Sequence, residues 1–385
     1  MFDLAFGLGL NWRGRSNHEI RGCGATMRIM RPRSARNKAQ VTVVVPCYNY
    51  AQYLPAVTSS VLSQAGVDAQ VILVDDASTD NSAQVARDLA LGDPRITVVV
   101  HERNMGHIAT YNDGLSRVVT EYVALLSADD LLAPGALSRA TDLMSANPRV
   151  GMVYGRPLEF SDEHQLPRAA GSRWQSWTVW AGHEWIKWAC WRGRCFILSP
   201  EVVMRTEVLQ HVGFYNGLLP HSGDLEYWLR TAAHWDVGRI NGPIQAFYRV
   251  HGANMHLISF ATMVVDLRHR LEAFRVLLTS EVLRGLPQAD RLLDRARRAL
   301  RREALILAAR TLDSGGSATD ASALKDFALR VWPEQPASFR IRGVRWRLVR
   351  ADEGKPPLLW QRTVEIFRTQ VDRVRWRAWR MVGIS

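Results

Sequence analysis

The sequence predicts an α/β fold with a mostly parallel, mixed sheet, followed by an α-helical C-terminal region. Three observations carry that expectation. Between Val41 and Gly155, short runs of Val, Ile and Leu alternate with stretches of helical periodicity. The runs are apolar almost throughout, which marks strands covered on both faces rather than one. Beyond Leu257 the β-runs cease, and the chain becomes Arg-rich and helical.

Residues 1–40 are Arg-rich and aperiodic and read as a disordered basic arm. From Val41, "VTVVVP" is a strand, "AQYLPAVTSSVLSQ" a helix, "QVILVDD" a strand and "NSAQVARDLAL" a helix. "ITVVVHE", "IATYNDGLSRVV", "EYVALLSADD" and "GALSRATDLMSA" repeat the alternation, and "VGMVYG" is a fifth strand. Ligands of such sheets bind beyond the carboxyl ends of the strands. Pro46, Tyr48, Asp75, Asp76, Asp129 and Asp130 are therefore expected along one rim.

After Arg156 the alternation lapses and six tryptophans fall between Trp174 and Trp191. Positions 177, 180, 184 and 188 keep helical spacing, so a helix with a bulky buried face is expected, a carbohydrate-stacking or lipid-facing surface being the alternative. "DSGGSATDAS" breaks the later helices. The final segment aligns Trp360, Val364, Phe367, Val371, Val374, Ala378 and Met381 on one stripe among arginines. Such a helix packs on the body or lies on anionic lipid. The expected divisions are a basic arm over 1–40, a catalytic domain over 41–256 with halves 41–156 and 157–256, and a basic helical region over 257–385.

With 47% hydrophobic and 22% charged residues, the composition is that of a soluble globular protein. Its charge of +12 is concentrated at the ends. Residues 1–40 carry eight Lys/Arg against two Asp/Glu, and residues 340–385 twelve against four, so the body is slightly acidic. Basic ends on such a body suit an anionic membrane surface. Nucleic acid is the less favoured partner, because the folded signatures of its usual binding modules are missing. Four cysteines without CxxC spacing point to a reducing, cytoplasmic setting. The apolar stretch Leu257–Leu267 is too short for a span and is interrupted by Ser259, Thr262 and Asp266.

The acids at the strand ends carry the chemistry. In "VDDASTDNS", Asp80 suits the cap of the next helix, leaving Asp75 and Asp76 for another task. A carboxylate there can accept a hydrogen bond from a base N–H. In "LLSADDLL", Asp129 and Asp130 offer hard oxygen ligands to a divalent cation that takes its other ligands from water and phosphate. Asp224 in "LPHSGDLEYWLR" stands against aromatic residues, where partial desolvation raises a carboxyl pKa toward that of a general base. His251 in "YRVHGANMH" is a candidate metal or phosphate contact. A GxGxxG turn and a Walker-type loop are both absent, which argues against dinucleotide-dependent redox chemistry and P-loop phosphate binding.

"VTVVVPCYNYAQYL", "VILVDDASTDNS", "NMGHIATYNDGL", "EYVALLSADDLLAPGAL", "GDLEYWLR" and "YRVHGANM" follow one another as in family 2 glycosyltransferases, which the chain resembles from about Val41 to Asn254. The resemblance implies the GT-A nucleotide-binding fold and inverting transfer of a sugar from a nucleoside diphosphate sugar to an acceptor hydroxyl, with Mn²⁺ or Mg²⁺. By the same resemblance, Pro46 and Tyr48 border the nucleotide, Asp76 reads the base beside Asp75, and Asn104, Gly106 and Asn112 close over ribose and diphosphate. Asp129 then meets the ribose, Asp130 and His251 the metal, and Asp224 is the base. A glycan or lipid-linked acceptor and a place in surface polysaccharide synthesis are expected on the same ground. Ser127 and Gly223 stand where many relatives have acids, which keeps an inactive sugar-nucleotide binder as the alternative.

Overall fold

The computed structural model describes residues 18–22, 25–167, 169–172, 174–252, 263–280, 288–333 and 338–382. In chain order the strands are β1 (His18–Gly22), β2 (Ala25–Met30), β3 (Ala39–Cys47), β4 (Val67–Asp75), β5 (Ile96–Val100), β6 (Tyr122–Leu125), β7 (Leu131–Leu132), β8 (Val150–Phe160), β9 (Ser176–Trp180), β10 (Val203–Arg205) and β11 (Asp236–Arg249). They form one sheet in the order β1-β2-β9-β11-β8-β10-β6-β3-β4-β5, with β7 paired to β11.

The half made of β6, β3, β4 and β5 is parallel. Its helices are α1 (Leu54–Leu62), α2 (Ser82–Gly92), α3 (His107–Ser116) and α4 (Ala136–Ala146). The unbroken apolar run of β3 follows from its position between two layers. Val41, Val43 and Val45 enter the core shared with α1 and α4, while Val44 enters the opposite core with Ile108 and Leu115 of α3. Gly114 lets α3 approach the sheet, since a Cβ there would lie 2.4 Å from Val44 Cγ1. Beyond β6 the pairing becomes antiparallel except between β8 and β11.

Two expectations are corrected. Within the basic arm, Ala25–Met30 is not disordered: it pairs antiparallel with β9, and Met27 packs against one core. A strand of six residues is too short for its period to stand out among arginines. The rest of that expectation, over residues 1–17 and 23–24, lies outside the described residues. The tryptophan segment is not one helix. "SWTVW" is strand β9, where Thr178 and Val179 favour extended backbone, and α5 (Gly182–Arg192) begins after it. Trp177, Trp180 and Trp185 are buried, whereas Trp174, Trp188 and Trp191 are exposed.

The remaining helices are α6 (Thr206–Val212), α7 (Gly223–His234), α8 (Met263–Thr279), α9 (Ala289–Asp313), α10 (Ala318–Val331), α11 (Phe339–Asp352) and α12 (Leu359–Val382). Buried Asp313 at the end of α9 accepts hydrogen bonds from Arg347 Nε of α11 at 2.6 Å and Gln361 Nε2 of α12 at 2.9 Å, tying three helices together. Among the described residues, no helix is long and apolar enough to cross a membrane. The interrupted stretch at Leu257–Leu267 falls largely outside them.

Candidate active site

The rim forms where the loops after β3, β4 and β6 meet the end of β11. Asn49 sits at φ 58°, and its Oδ1 accepts from Thr79 N at 2.7 Å. Asp80 accepts from Ala51 N through one oxygen and from Ser82 N through the other, so it secures the first helical residue of α2 while fastening the β3 loop. These bonds hold the loop of Pro46 and leave the Tyr48 ring exposed.

The two acids ending β4 divide sharply. Asp75 Oδ2 accepts from Ser78 N at 3.1 Å, while its Oδ1 is buried without a hydrogen-bond partner among the described residues. Asp76 is saturated. Its Oδ1 pairs with His101 Nδ1 at 2.8 Å and accepts from Met105 N at 2.7 Å, and its Oδ2 accepts from Gly106 N at 2.9 Å. Burial pushes the Asp76 pKa up, but these bonds outweigh it and hold the carboxyl below its ordinary value. Gly106 takes φ 84°, a conformation open to glycine, where the chain turns into α3. Asn104 is exposed, and its Oδ1 also accepts from Gly106 N.

After β6 the chain turns, with Asp130 N donating to Ser127 O. Asp129 Oδ2 pairs with His251 Nε2 at 3.0 Å, and Asp129 Oδ1 is buried without a partner among the described residues. Arg249, the last residue of β11, fixes this turn. Its N–H donates to Asp130 Oδ1 at 2.8 Å, its Nε donates to Asp129 O at 2.7 Å, and its guanidinium lies 4.4 Å from the Tyr53 ring centroid and also bonds Glu163. Burial, and then the charge of Asp129, pushes the Asp130 carboxyl well above its usual range. His251 lies edge-on to Tyr50.

Asp224 is the second residue of α7, and its Oδ2 accepts from Ser199 Oγ at 2.5 Å. Ser199 holds φ 84°, which is strained for a residue with a Cβ. Burial raises the Asp224 pKa against the lowering effect of Ser199, Tyr215 and His107. Tyr111 and Tyr248 each lie within electrostatic reach of Asp129, Asp130 and Asp224, whose charges raise both phenol pKa values after burial has done so.

Asn112 reaches a loop 103 residues further along the chain. Its Nδ2 donates to Tyr215 O and its Oδ1 accepts from Tyr215 N, both at 2.9 Å. Its amide thus pins the loop that carries Tyr215, with one N–H and one lone pair beyond these two bonds. Glu226 likewise pairs with Arg230, which donates to Phe214 O on the same loop. Among the described residues, no three His, Cys, Asp or Glu side chains form a ready-made metal cage.

Residues 42–201 match the model for glycosyl transferase family 2. This segment is a family 2 glycosyltransferase domain. An uncharacterized glycosyltransferase of Nostoc is 27% identical over 57% of this chain and 67% of its own length. The succinoglycan biosynthesis protein ExoO of Rhizobium meliloti is 32% identical over 36% of this chain, which spans less than half of that protein. Among solved structures, residues 1–349 of S. aureus TarS in complex with UDP-GlcNAc superpose with a TM-score of 0.57 at 15% identity, covering 82% of this chain and 92% of that one. The fold is therefore that of GT-A glycosyltransferases.

Near Asp224, sequence reasoning missed Ser199 and Glu201. Glu201 is buried, accepts from Leu198 N at 3.0 Å through Oε1, and has no partner for Oε2 among the described residues. Burial pushes its carboxyl up to about 7. The one available signal was a lone acid within the apolar stretch "CFILSPEVV".

Proposed function

We propose that this protein is an inverting, divalent-metal-dependent glycosyltransferase. In this reading it moves a sugar from a nucleoside diphosphate sugar to a hydroxyl of a glycan or lipid-linked acceptor in surface polysaccharide synthesis. The observation that carries the reading is Asp224, a largely desolvated carboxylate with a raised pKa, oriented by Ser199 and within electrostatic reach of the same tyrosine as two further acids. Asp224 takes the acceptor O–H proton as that oxygen attacks the anomeric carbon, and the bond from that carbon to the diphosphate breaks. The raised carboxyl pKa lies closer to that of its proton donor.

Asp129 and Asp130 fit a hard cation, because two adjacent buried carboxylates with an uncompensated oxygen need positive charge beside them. Those two residues would hold Mn²⁺ or Mg²⁺, with His251 orienting Asp129, and the ion would neutralise charge on the departing diphosphate. For the nucleotide we assign base reading to Asp75 rather than Asp76, since Asp75 keeps an oxygen to accept a base N–H. Tyr48 lies against the base, and Asn104 and Gly106 border the phosphates.

The test is a thermal-shift series with UDP, GDP, CDP and dTDP, with and without Mn²⁺, followed by transfer assays with the sugar donor of the stabilising nucleotide. Asp224→Asn should keep the nucleotide shift and lose transfer by at least about a hundredfold, as expected for removal of a general base. Near-normal turnover by that variant would sink the assignment. Asp130→Ala should lose the Mn²⁺-dependent part of the shift.

A further inference from the structure

A second cavity, of about 500 Å³, lies among the C-terminal helices and is lined by Arg301 and Arg302 of α9, Arg340 of α11 and Arg368 of α12. Among the described residues, no carboxylate lines it. Asp313 lies 3.8 Å from Arg368, but its charge is shared with Arg347 at 2.6 Å and its oxygen with Gln361. Arg301 donates to Ser338 Oγ at 3.1 Å. Burial, and then the like charge of Arg340, lowers the Arg301 pKa, so the cationic form is disfavoured there as the protein stands.

The 14-residue helix α11 begins at this cavity, with Ser338 before it and Phe339 and Arg340 as its first residues. Ser338 makes no side-chain cap, and the first turn carries no acid. The opening N–H groups and the positive end of the helix dipole therefore add to the guanidiniums. Leu305 and Phe339 contribute apolar wall, and Phe339 is largely exposed. Converging cations, an uncapped helix start and an apolar flank together match an anion with a hydrocarbon substituent.

We propose that this cleft binds the phosphoryl group of a phosphate ester. Arg302 and Arg340 grip its oxygens, and Leu305 and Phe339 meet the substituent. The proposal is independent of the sugar-transfer reading, because it uses no residue of the strand-end rim.

The test uses the full chain in EDTA, which strips divalent ions from the rim. Inorganic pyrophosphate is titrated calorimetrically into wild type, Arg302→Glu, Arg340→Glu and, as a charge-matched control on α2, Arg87→Glu. All three arginines are exposed, so the folds should survive, which melting curves check. Each cleft variant should bind about tenfold more weakly or worse, while the control matches wild type. Sedimentation with phosphatidylcholine vesicles containing phosphatidic acid, against vesicles of equal charge containing phosphatidylglycerol, identifies the source. Selective loss of phosphatidic acid binding in the cleft variants marks a lipid headgroup, and loss of pyrophosphate binding alone marks a soluble ester. Pyrophosphate affinity unchanged in both cleft variants, or no binding by wild type, would overturn the proposal.

Discussion

At the scale of single residues, the pair Ser199 and Asp224 joins a backbone strain to a side-chain charge. The hydrogen bond from Ser199 lowers the Asp224 pKa against a larger rise from burial. Ser199→Ala should therefore raise that pKa further. The acid limb of the kcat/KM profile should move to higher pH, with little change in nucleotide affinity; an unmoved limb would leave Ser199 a purely structural role.

Glu201 gives a second pH signature, of opposite use. Its pKa rises from 4.5 to about 7 on folding, so its neutral form favours the native state. That contribution is complete below pH 4.5 and is lost as the pH rises through 7, by roughly 3 kcal/mol if the full shift acts. Glu201→Gln should flatten the dependence of melting temperature on pH between 5 and 8. An unchanged slope would show that the group titrates normally.

At the scale of elements, the β4 end and the loop before α3 act as one unit, because Asp76 accepts from two successive backbone N–H groups of that loop. Asp76→Ala leaves those donors without their acceptor and should cost about 1–3 kcal/mol in denaturant unfolding. Asp75→Asn keeps the shape and should leave stability nearly unchanged while weakening nucleotide binding. The reverse pattern would return base reading to Asp76. The sequence marked both acids, because an apolar strand ending in carboxylates announces the carboxyl rim of a parallel sheet. It could not rank them, since the donors that saturate Asp76 lie about 30 residues on. Nor could it show that Asn112 pins the Tyr215 loop, that partner being 103 residues away. β9 was misread because tryptophan spacing suits helix and strand alike over so short a stretch.

At the scale of the whole molecule, apolar side chains reach solvent along the C-terminal helices. Trp360, Phe367 and Val374 are exposed on the predicted stripe of α12, and Phe339, Trp346 and Val349 on α11. Ala378 and Met381 of the stripe are outside the described side chains. With a net charge of +8 over residues 340–385, these helices suit attachment to an anionic membrane surface. Trp360→Ser/Phe367→Ser/Val374→Ser should lose flotation with phosphatidylglycerol vesicles while keeping the melting temperature. Equal flotation would count against membrane attachment through α12.

The pairing of β2 with β9 has its own consequence for synthesis. Residues 25–30 leave the ribosome with their first partner, β1, but gain their second only when residues 176–180 have followed. At ordinary elongation rates that interval is about 10–30 s. During it Met27 lacks its burial site, and the strand edge that β9 will cover remains open to other pairings. A nascent chain stalled before residue 176 should therefore expose this segment to protease, and one released after β11 should protect it.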